Sequence, residues 1–350
     1  MSERNGRTRT SDSEVLAVEG LAQHFIGRRG LPDRLARREP HVVRAVDEVD
    51  LVLHKGETLG LVGESGCGKS TLSRCIVGLY QPTAGTVRLA GEPINGQPTR
   101  AQRRFVQMVF QDPYSSLNPR MTVGQTLGEL LRYHQIVPRS KVADRCRELL
   151  DLVGLPQRAL DQTPRQFSGG QRQRIGIARA LAVEPKVLLA DEPVSALDVS
   201  VQANIINLLL DLKESLGLSM IFVSHNIAVV RQVSDRTAVM YRGRIVETGP
   251  TARVLEQPVH PYTRLLLGSV PRLLTHVGPV SAPGGAVADA DQGGSAADPP
   301  PPVASDEREC RFRSRCPVAV AACATEPGLL QLSSHRERLV ACHHAVEQVA

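Results

Sequence analysis

The sequence predicts an α/β fold with a mainly parallel β-sheet. Short apolar runs, such as residues 187–190 and 219–223, alternate with longer segments whose apolar residues recur every three or four positions. This alternation is typical of parallel strands joined by helices. Hydrophobic residues make up 41% of the 350 residues, which supports a sizeable core. Aromatic residues are only 3% and Trp is absent, so aliphatic side chains must form most of that core.

The predicted elements follow the same logic along the chain. Strands are predicted at 15–25, 42–57 (a pair turning at Lys55 and Gly56), 58–62, 86–89, 106–110, 187–190, 219–223, 237–241 and 244–247. Helices are predicted at 70–78, across 123–155, at 171–182 and at 205–216. Residues 1–13 are predicted to be a disordered lead. Residues 271–305, rich in Gly, Ala, Pro and Asp, are predicted to be a linker, because they bury too little apolar surface to order themselves.

The net charge of +6 leaves several classes of partner open. A basic balance indicates nucleic acid, an anionic membrane surface or phosphate ligands, or only a solvated basic face. No run of about 18 apolar residues is present, so no transmembrane helix is predicted. The first residues are polar and lack the apolar core of a signal peptide. We therefore expect the chain to stay in the cytoplasm.

A phosphate-binding loop is predicted at residues 63–70, which read GESGCGKS and match G-x-x-x-x-G-K-[ST]. A predicted strand precedes the loop and a predicted helix follows it, which disfavours a chance glycine turn. Glycines let backbone N–H groups approach phosphates, Lys69 supplies charge to the β- and γ-phosphates, and the Ser70 hydroxyl reaches Mg²⁺. The residues predicted to bind ATP here are Gly63, Glu64, Ser65, Gly66, Cys67, Gly68, Lys69, Ser70 and Thr71.

Four polar residues close predicted strands and are candidates for the chemistry. Asp191 and Glu192 follow one strand, His225 follows another, and Gln111 closes a third. Because the ends of parallel strands face one crevice, we expect these side chains to meet. Asp191 is suited to hold Mg²⁺, Glu192 to polarise the attacking water, His225 to reach the γ-phosphate and Gln111 to join the metal shell. Each taken alone also has a structural explanation, such as an acidic helix cap or a structural histidine.

The residues FSGGQRQR at 167–174 resemble the signature of ATP-binding-cassette (ABC) ATPases. The motif order also resembles this family: phosphate loop, Gln111, signature, Asp191 with Glu192, a D-loop-like SALD ending at Asp198, then His225. The resemblance covers residues 14–270. It implies an ABC-type P-loop ATPase core with an antiparallel β subdomain and an α-helical subdomain at about residues 112–178.

The same resemblance implies a head-to-tail dimer in which each ATP lies between two subunits. The signature of one subunit would contact nucleotide held by the other, through Ser168, Gly169, Gly170 and Gln171. Phe25 lies where the family places an aromatic ring that stacks on adenine, and the alternative is a core Phe on a strand.

Three segments resemble the peptide-importer branch: residues 111–123, residues 260–271 (HPYTRLLLGSVP) and the ending C-x₅-C-x₆-C-x₁₈-C. This resemblance implies an ATPase subunit of an oligopeptide or dipeptide importer, at the cytoplasmic face of the membrane. Its implied partners are a second ATPase subunit, favoured to be a paralogue, two integral-membrane permease subunits and an external substrate-binding protein, with no nucleic acid. The alternatives are an importer for nickel or a glycoside and a soluble ABC ATPase acting on DNA or ribosomes. One departure is Asn226, where many relatives carry Asp.

The last cysteines predict a metal site in a small Cys-rich C-terminal extension at residues 306–350. Four thiolates favour an iron–sulfur cluster or zinc, and the spacing lacks the close pairs of many zinc modules. A [4Fe–4S] cluster is therefore predicted on Cys310, Cys316, Cys323 and Cys342. The alternatives are Zn²⁺, with His335, His343 or His344 as substitute ligands, and no metal. A metal would stabilise a segment with so little apolar mass.

Overall fold

The computed structural model describes residues 13–27, 42–112, 117–268, 309–332 and 335–347. The strands are β1 (Glu14–Ile26), β2 (Val42–His54), β3 (Thr58–Val62), β4 (Ala84–Leu89), β5 (Glu92–Pro93), β6 (Val106–Val109), β7 (Val187–Asp191), β8 (Ser219–Val223), β9 (Arg236–Tyr241), β10 (Arg244–Pro250), β11 (Leu330–Leu332) and β12 (His335–Val340). The α-helices are α1 (Lys69–Ile76), α2 (Arg100–Phe105), α3 (Val123–His134), α4 (Val142–Leu152), α5 (Gly169–Leu181), α6 (Val199–Leu216), α7 (Ile227–Val233), α8 (Thr251–Glu256), α9 (Pro261–Gly268) and α10 (His343–Glu347). The predicted lead before residue 13 and the predicted linker at 271–305 lie outside the described residues.

A four-stranded antiparallel sheet has the order β2-β1-β4-β5. The predicted pair at 42–57 is one long strand, β2, and the turn at Lys55 and Gly56 leads directly into β3. Inward-facing residues such as Leu16, Val46 and Val49 are buried. The sheet thus presents one apolar face to the rest of the molecule, as antiparallel sheets commonly do.

A second sheet has eight strands in the order β11-β12-β10-β9-β3-β8-β7-β6. Its five strands from β9 to β6 are parallel, with Leu61 of β3 opposite Val223 of β8 and Ala238 of β9. Strands β3, β7 and β8 are buried along their whole length, which explains their continuous apolar sequences. The predicted α/β core with a mainly parallel sheet is confirmed.

The other edge of this sheet is antiparallel. Strand β10 pairs with β9, β12 pairs with β10, and β11 pairs with β12. Glu247 of β10 lies opposite Val340 of β12. Residues near the end of the chain therefore extend the main sheet, which the sequence analysis did not predict.

Two hydrophobic cores lie on the two faces of the eight-stranded sheet. Along β7, Leu188 and Ala190 pack into the core that contains α3–α6, whereas Val187 and Leu189 pack into the core with α1 and the antiparallel sheet. Successive side chains of a strand point to opposite faces, so one apolar strand supplies both cores. None of the helices in the described part of the chain has the length and apolar character needed to span a membrane.

Candidate functional site

The loop between β3 and α1 is built around three glycines. Gly66 and Gly68 have φ angles of 77° and 112°, which residues with a Cβ rarely adopt. A Cβ on Gly68 would lie 2.1 Å from the carbonyl oxygen of Ala45. The buried Lys69 Nζ donates to the carbonyl oxygens of Gly63 at 2.8 Å and Glu64 at 2.9 Å. The ammonium group is therefore held inside the loop that the sequence predicts for phosphates.

A hydroxyl and a carboxylate meet at the start of α1. Ser70 Oγ donates to Asp191 Oδ1 at 3.3 Å. Asp191 is only 3% exposed, and burial raises the pKa of its carboxyl, while the Ser70 hydrogen bond opposes that rise. Within the described part of the chain, this long hydrogen bond is the only one to the Asp191 carboxylate, so the buried group gains from a nearby cation, and oxygen donors are the ligands Mg²⁺ prefers. These two residues fit a magnesium ion.

Glu192 has a strained backbone. Its φ is 47°, in the left-handed region, which costs a residue with a Cβ about 1–2 kcal/mol. The strain is held by neighbouring groups: Glu192 N donates to Val223 O at 2.9 Å, and Ser195 N and Oγ donate to Glu192 O at 3.3 and 3.1 Å. Strain of this kind clusters at active sites, where it aims a side chain. The motif alone gave no signal for this conformation.

Side chains from two other strand ends contact the Glu192 carboxylate. Gln111 Nε2 donates to Glu192 Oε2 at 3.1 Å, and His225 Nδ1 lies 3.3 Å from the same oxygen. Glu192 Oε1 accepts no hydrogen bond from the described residues. His225 is 57% exposed at its side chain, whereas that of Glu192 is 14% exposed. The structure thus brings Gln111, Asp191, Glu192 and His225 together beside Ser70.

Phe25 lies on β1 and is 39% exposed, so it is not a core side chain. Its ring meets the edge of Tyr80, with 5.6 Å between ring centroids. Tyr80 follows α1, the helix that begins at the phosphate loop. Phe25 therefore presents an aromatic surface near the far end of that helix.

The signature residues begin α5. Ser168 Oγ accepts from Gln171 N at 3.4 Å, and Gln171 Oε1 accepts from Ser168 N at 3.0 Å, which together cap the helix. A Cβ on Gly170 would meet Val201 of α6 at 2.5 Å, and one on Gly169 would meet Leu197 at 3.2 Å. Among the described residues, no hydrogen bond joins this turn to the phosphate loop. Asp198 is exposed at the N-cap of α6 and directly follows Leu197, the residue that lies close to Gly169.

Two residues that no motif indicated contact the phosphate loop. Tyr262 Oη accepts from Glu64 N at 2.9 Å, and the Arg315 guanidinium pairs with the Glu64 carboxylate at 3.0 and 3.1 Å. Tyr262 belongs to the HPYT segment, which was noticed only for its resemblance. Arg315 carried no signal, because local pattern cannot show that residue 315 lies beside residue 64.

The predicted [4Fe–4S] cluster is wrong, and the zinc alternative fails with it. In the described ranges, no group of three or more His, Cys, Asp or Glu side chains is arranged to hold a metal ion. Cys310 N donates to Cys323 O at 3.1 Å, so these two cysteines are neighbours, but all seven cysteines of the chain are free thiols without a ligand arrangement. The structure therefore gives no support for a metal-stapled extension, and the last block is held by sheet pairing and packing.

Burial explains what the C-terminal cysteines do instead. Cys310 and Cys316 pack against the large core, and Cys342 packs with Leu332 and Val340 in a small one. Burial raises the pKa of Cys310 to about 11 and also raises that of Cys342, which keeps both as neutral thiols. Buried or partly buried cysteines of this kind act as small apolar side chains.

The histidines suggested as substitute ligands have other contacts. His343 Nε2 lies 2.9 Å from Thr325 O, and His344 Nε2 contacts Val318 O. The side chain of His335 lies outside the part of the chain that the structure describes. The spacing of the cysteines therefore reflects packing and not coordination.

Two family profiles match different parts of the chain. A profile described as "ABC transporter" matches residues 46–195, which span the phosphate loop, Gln111, the signature and Glu192. A profile described as "Oligopeptide/dipeptide transporter, C-terminal region" matches residues 246–323, which include Tyr262 and Arg315.

Relatives match over nearly the whole chain. The oligopeptide transport ATP-binding protein OppF of Escherichia coli (strain K12) is 46% identical over 326 residues, covering 90% of this chain and 92% of that protein. The di/tripeptide transport ATP-binding protein DppF of Pseudomonas aeruginosa (strain UCBPP-PA14) is 43% identical over 334 residues, covering 95% of this chain and 98% of that protein.

Solved structures match the nucleotide-site region of the fold. A dimeric ATP-binding cassette in a post-hydrolysis state, bound to ADP and phosphate, has a TM-score of 0.58 and 28% identity, and covers 67% of this chain and 98% of that chain. A component of an ABC transporter complex from Clostridium perfringens has a TM-score of 0.58 and 27% identity, covering 70% and 92%. These likenesses confirm the ATPase fold that the motifs imply.

Proposed function

Because the chain belongs to the ATP-binding proteins of ABC transporters, we propose that it hydrolyses ATP to power the import of oligopeptides or dipeptides through separate membrane subunits. The ATPase activity follows from the family. The cargo class is supported by the C-terminal profile and by relatives named for oligopeptide and di/tripeptide transport. No feature of the described residues favours nickel, a glycoside or nucleic acid over peptides.

The phosphate loop and its surroundings provide the binding half of the site. Residues 63–71 present backbone N–H groups at a helix N-terminus, where phosphate is stabilised. Lys69 turns its ammonium group from loop carbonyls to phosphate oxygens when ATP binds. Ser70 and Asp191, with Gln111 as a further ligand, would hold Mg²⁺, and the ion would neutralise charge on the phosphates.

The observation that carries the hydrolytic role is the position of Glu192. Its strained backbone aims the carboxylate, and Gln111 and His225 hold one oxygen while the other accepts nothing from the described residues. A carboxylate held in this way orients and polarises the attacking water. His225 and Gln111 fix the orientation of Glu192, and both lie within reach of the region that receives the γ-phosphate.

The site is completed by a second ATPase subunit. Ser168, Gly169, Gly170 and Gln171 lie apart from the phosphate loop of their own chain, so they serve nucleotide held by the partner. A solved relative of this fold is dimeric in its ADP- and phosphate-bound state, which supports this arrangement. Asp198 lies at the same interface, and Phe25 stacks on the adenine. We infer a paralogue as partner, with two permease subunits and an external binding protein, at the cytoplasmic face of the membrane.

The hydrolytic role is tested by Glu192→Gln in the full chain. Steady-state phosphate release should fall by about 10²- to 10⁴-fold, the range a positioned acid–base group contributes, while ATP binding is retained. Glu184→Gln is the matched control, because Glu184 also has a left-handed backbone, with φ of 55°, but pairs with Arg145. Turnover that is unchanged in Glu192→Gln would remove this residue from the mechanism.

The import role is tested in cells. Deleting the gene should abolish uptake of a labelled dipeptide or oligopeptide, and a plasmid copy should restore it. Glu192→Gln on the plasmid should not restore uptake. The tagged chain, recovered from the membrane fraction, should bring integral-membrane subunits with it. Normal peptide uptake with lost nickel uptake, or nucleic acid in place of membrane partners, would contradict peptide import.

A further inference from the structure

Two side chains from the C-terminal third of the chain hold Glu64, the second residue of the phosphate loop. Tyr262 Oη accepts a hydrogen bond from Glu64 N at 2.9 Å. Arg315 Nη1 and Nη2 donate to the two Glu64 carboxylate oxygens at 3.1 and 3.0 Å. Paired bonds between a guanidinium and a carboxylate fix the relative orientation of the two groups. Glu64 is thus held by both its main chain and its side chain.

Tyr262 is itself immobilised by aromatic packing. It is fully buried, and its ring centroid lies 4.4 Å from that of Tyr241 and 5.6 Å from that of Phe312. These rings come from α9, β9 and the C-terminal segment respectively. The Arg315 guanidinium lies over the rings of Tyr241 and Phe312, at 5.9 and 5.8 Å from their centroids. One cluster therefore positions both groups that reach Glu64.

The cluster is anchored to the antiparallel edge of the main sheet. Tyr262 N donates to His260 Nδ1 at 3.0 Å, and His260 N donates to Glu247 Oε2 at 3.0 Å. Glu247 of β10 also accepts from Arg338 Nε of β12 at 3.1 Å. Arg311 contacts Asp47 and Arg242 O, which fixes the segment that carries Arg315. A continuous chain of contacts runs from β12 to the phosphate loop.

Glu64 in turn positions the group that carries the loop's charge. Its carbonyl oxygen accepts from Lys69 Nζ at 2.9 Å and from Cys67 N at 3.3 Å. A displacement of Glu64 would therefore move the Lys69 ammonium and the N–H groups after it. A loop that is already fixed loses less conformational freedom when a ligand binds.

We propose that Tyr262 and Arg315 are positioning residues that brace the phosphate loop through Glu64 and so set the affinity of the chain for MgATP. This inference rests on the proposed ATP binding. It gives the C-terminal region a part in the reaction that no motif records. The effect falls on nucleotide affinity and KM, because neither side chain touches the residues around Glu192.

The test compares two arginines of one short turn. Arg313 pairs with Glu309 and is 38% exposed at its side chain, whereas Arg315 pairs with Glu64 and is 39% exposed. Binding of a non-hydrolysable ATP analogue with Mg²⁺ is measured by titration calorimetry on the full chain. Arg315→Ala should weaken binding about two- to fivefold, since a partly exposed ion pair contributes modestly. Arg313→Ala should bind like the wild type, with a melting temperature similar to that of Arg315→Ala.

Tyr262→Phe removes only the oxygen that accepts from Glu64 N. It should raise the KM for ATP about fivefold with kcat at saturating ATP unchanged, in keeping with the loss of one hydrogen bond. Arg315→Lys, which keeps the charge but not the paired geometry, should lie between wild type and Arg315→Ala. A merely structural role would lower the melting temperature and leave the KM of the folded protein unchanged.

The outcomes separate this inference from the proposed function. Wild-type protein that fails to bind the MgATP analogue would overturn the proposed ATP binding. Wild-type protein that binds it, with Arg315→Ala and Tyr262→Phe binding equally well, would overturn the brace alone. Weakened binding in both variants, with Arg313→Ala unaffected, supports it.

Discussion

The eight-stranded sheet has two parts that differ in whether their polar side chains are accessible or buried. At the carboxyl ends of the parallel strands β6 and β8, Gln111 and His225 contact the Glu192 carboxylate, which keeps one oxygen without a hydrogen-bond partner among the described residues. At the antiparallel edge, the ion pair between Glu247 and Arg338 is almost completely buried, with side chains 0% and 2% exposed. The Glu192 carboxylate can exchange its hydrogen bonds for new ones to a ligand. The Glu247–Arg338 pair cannot do so without a large free-energy cost, because each charge would be left buried and unpaired.

The contrast shows how one sheet supports both chemistry and rigidity. Glu247 accepts from Val259 N at 3.1 Å, from His260 N at 3.0 Å and from Arg338, so its two oxygens are fully engaged. The strained Glu192, by comparison, is held through its backbone while its carboxylate remains adaptable. Strain at a reacting residue persists only where surrounding structure over-determines it. The closed polar network at the edge reaches a different part of the site, because it runs through His260 and Tyr262 to Glu64 of the phosphate loop.

The largest effect should come from breaking the buried pair at the edge. Arg338→Ala leaves Glu247 as an uncompensated buried charge, which should lower the free energy of unfolding by about 3–5 kcal/mol. Urea denaturation followed by far-UV circular dichroism measures it. The double variant Arg338→Met with Glu247→Gln removes both charges and should lose much less. A loss below about 1 kcal/mol in the single variant would mean that the Glu247–Arg338 pair contributes no more to stability than an exposed ion pair does.

Acid should also weaken the edge through His260. Burial lowers the pKa of His260 to about 4, against an opposing hydrogen bond with the Ala341 backbone; the ring Nδ1 accepts from Tyr262 N, and the ring centroid lies 5.8 Å from that of Phe312. As the pH falls, the unfolded chain binds a proton at this histidine before the folded protein does. The free energy of unfolding is therefore unaffected by His260 above about pH 6.5 and decreases as the pH falls towards 4. The loss should reach about 3 kcal/mol.

The measurement is the free energy of unfolding at several pH values between 7 and 4. His260→Asn keeps an acceptor for Tyr262 N but cannot titrate, so its stability should fall less steeply over that range than the wild type's. If the free energy of unfolding fell equally with pH in both proteins, the protonation of His260 would not account for the loss of stability in acid.

The two parts also differ in how far sequence could predict them. The phosphate loop, Asp191, Glu192 and His225 were found because motif spacing and the shared edge of parallel strands place polar residues together. The left-handed backbone of Glu192 was not predicted, because it depends on hydrogen bonds to Val223 and Ser195 that no local pattern encodes. The gathering of these side chains was thus predictable, but the backbone conformation that orients Glu192 was not.

At the antiparallel edge, local pattern led to no prediction for β12 and to a wrong one for the C-terminal cysteines. Strand β12 reads HRERLV, and a charged residue such as Arg338 is normally expected to be exposed. It is buried because Glu247, 91 residues earlier, pairs with it. The cysteines were interpreted as ligands from their number and spacing, which carry no information on burial or on the direction of each side chain.

The smallest effect should come from a structural contact within the parallel part. Asn226 follows His225 and caps α7, where its Oδ1 accepts from Ala228 N at 3.0 Å and Val229 N at 3.4 Å. Asn226→Ala should lower the free energy of unfolding by about 1 kcal/mol, the usual value of an N-cap. Asn226→Asp, which keeps a side-chain acceptor of nearly the same shape at the N-cap, should stay within about 0.5 kcal/mol of the wild type and keep its ATP turnover. If Asn226→Ala lowered the free energy of unfolding as much as Arg338→Ala, polar contacts in the parallel part would be as important for stability as those at the edge, and the contrast between the two parts would fail.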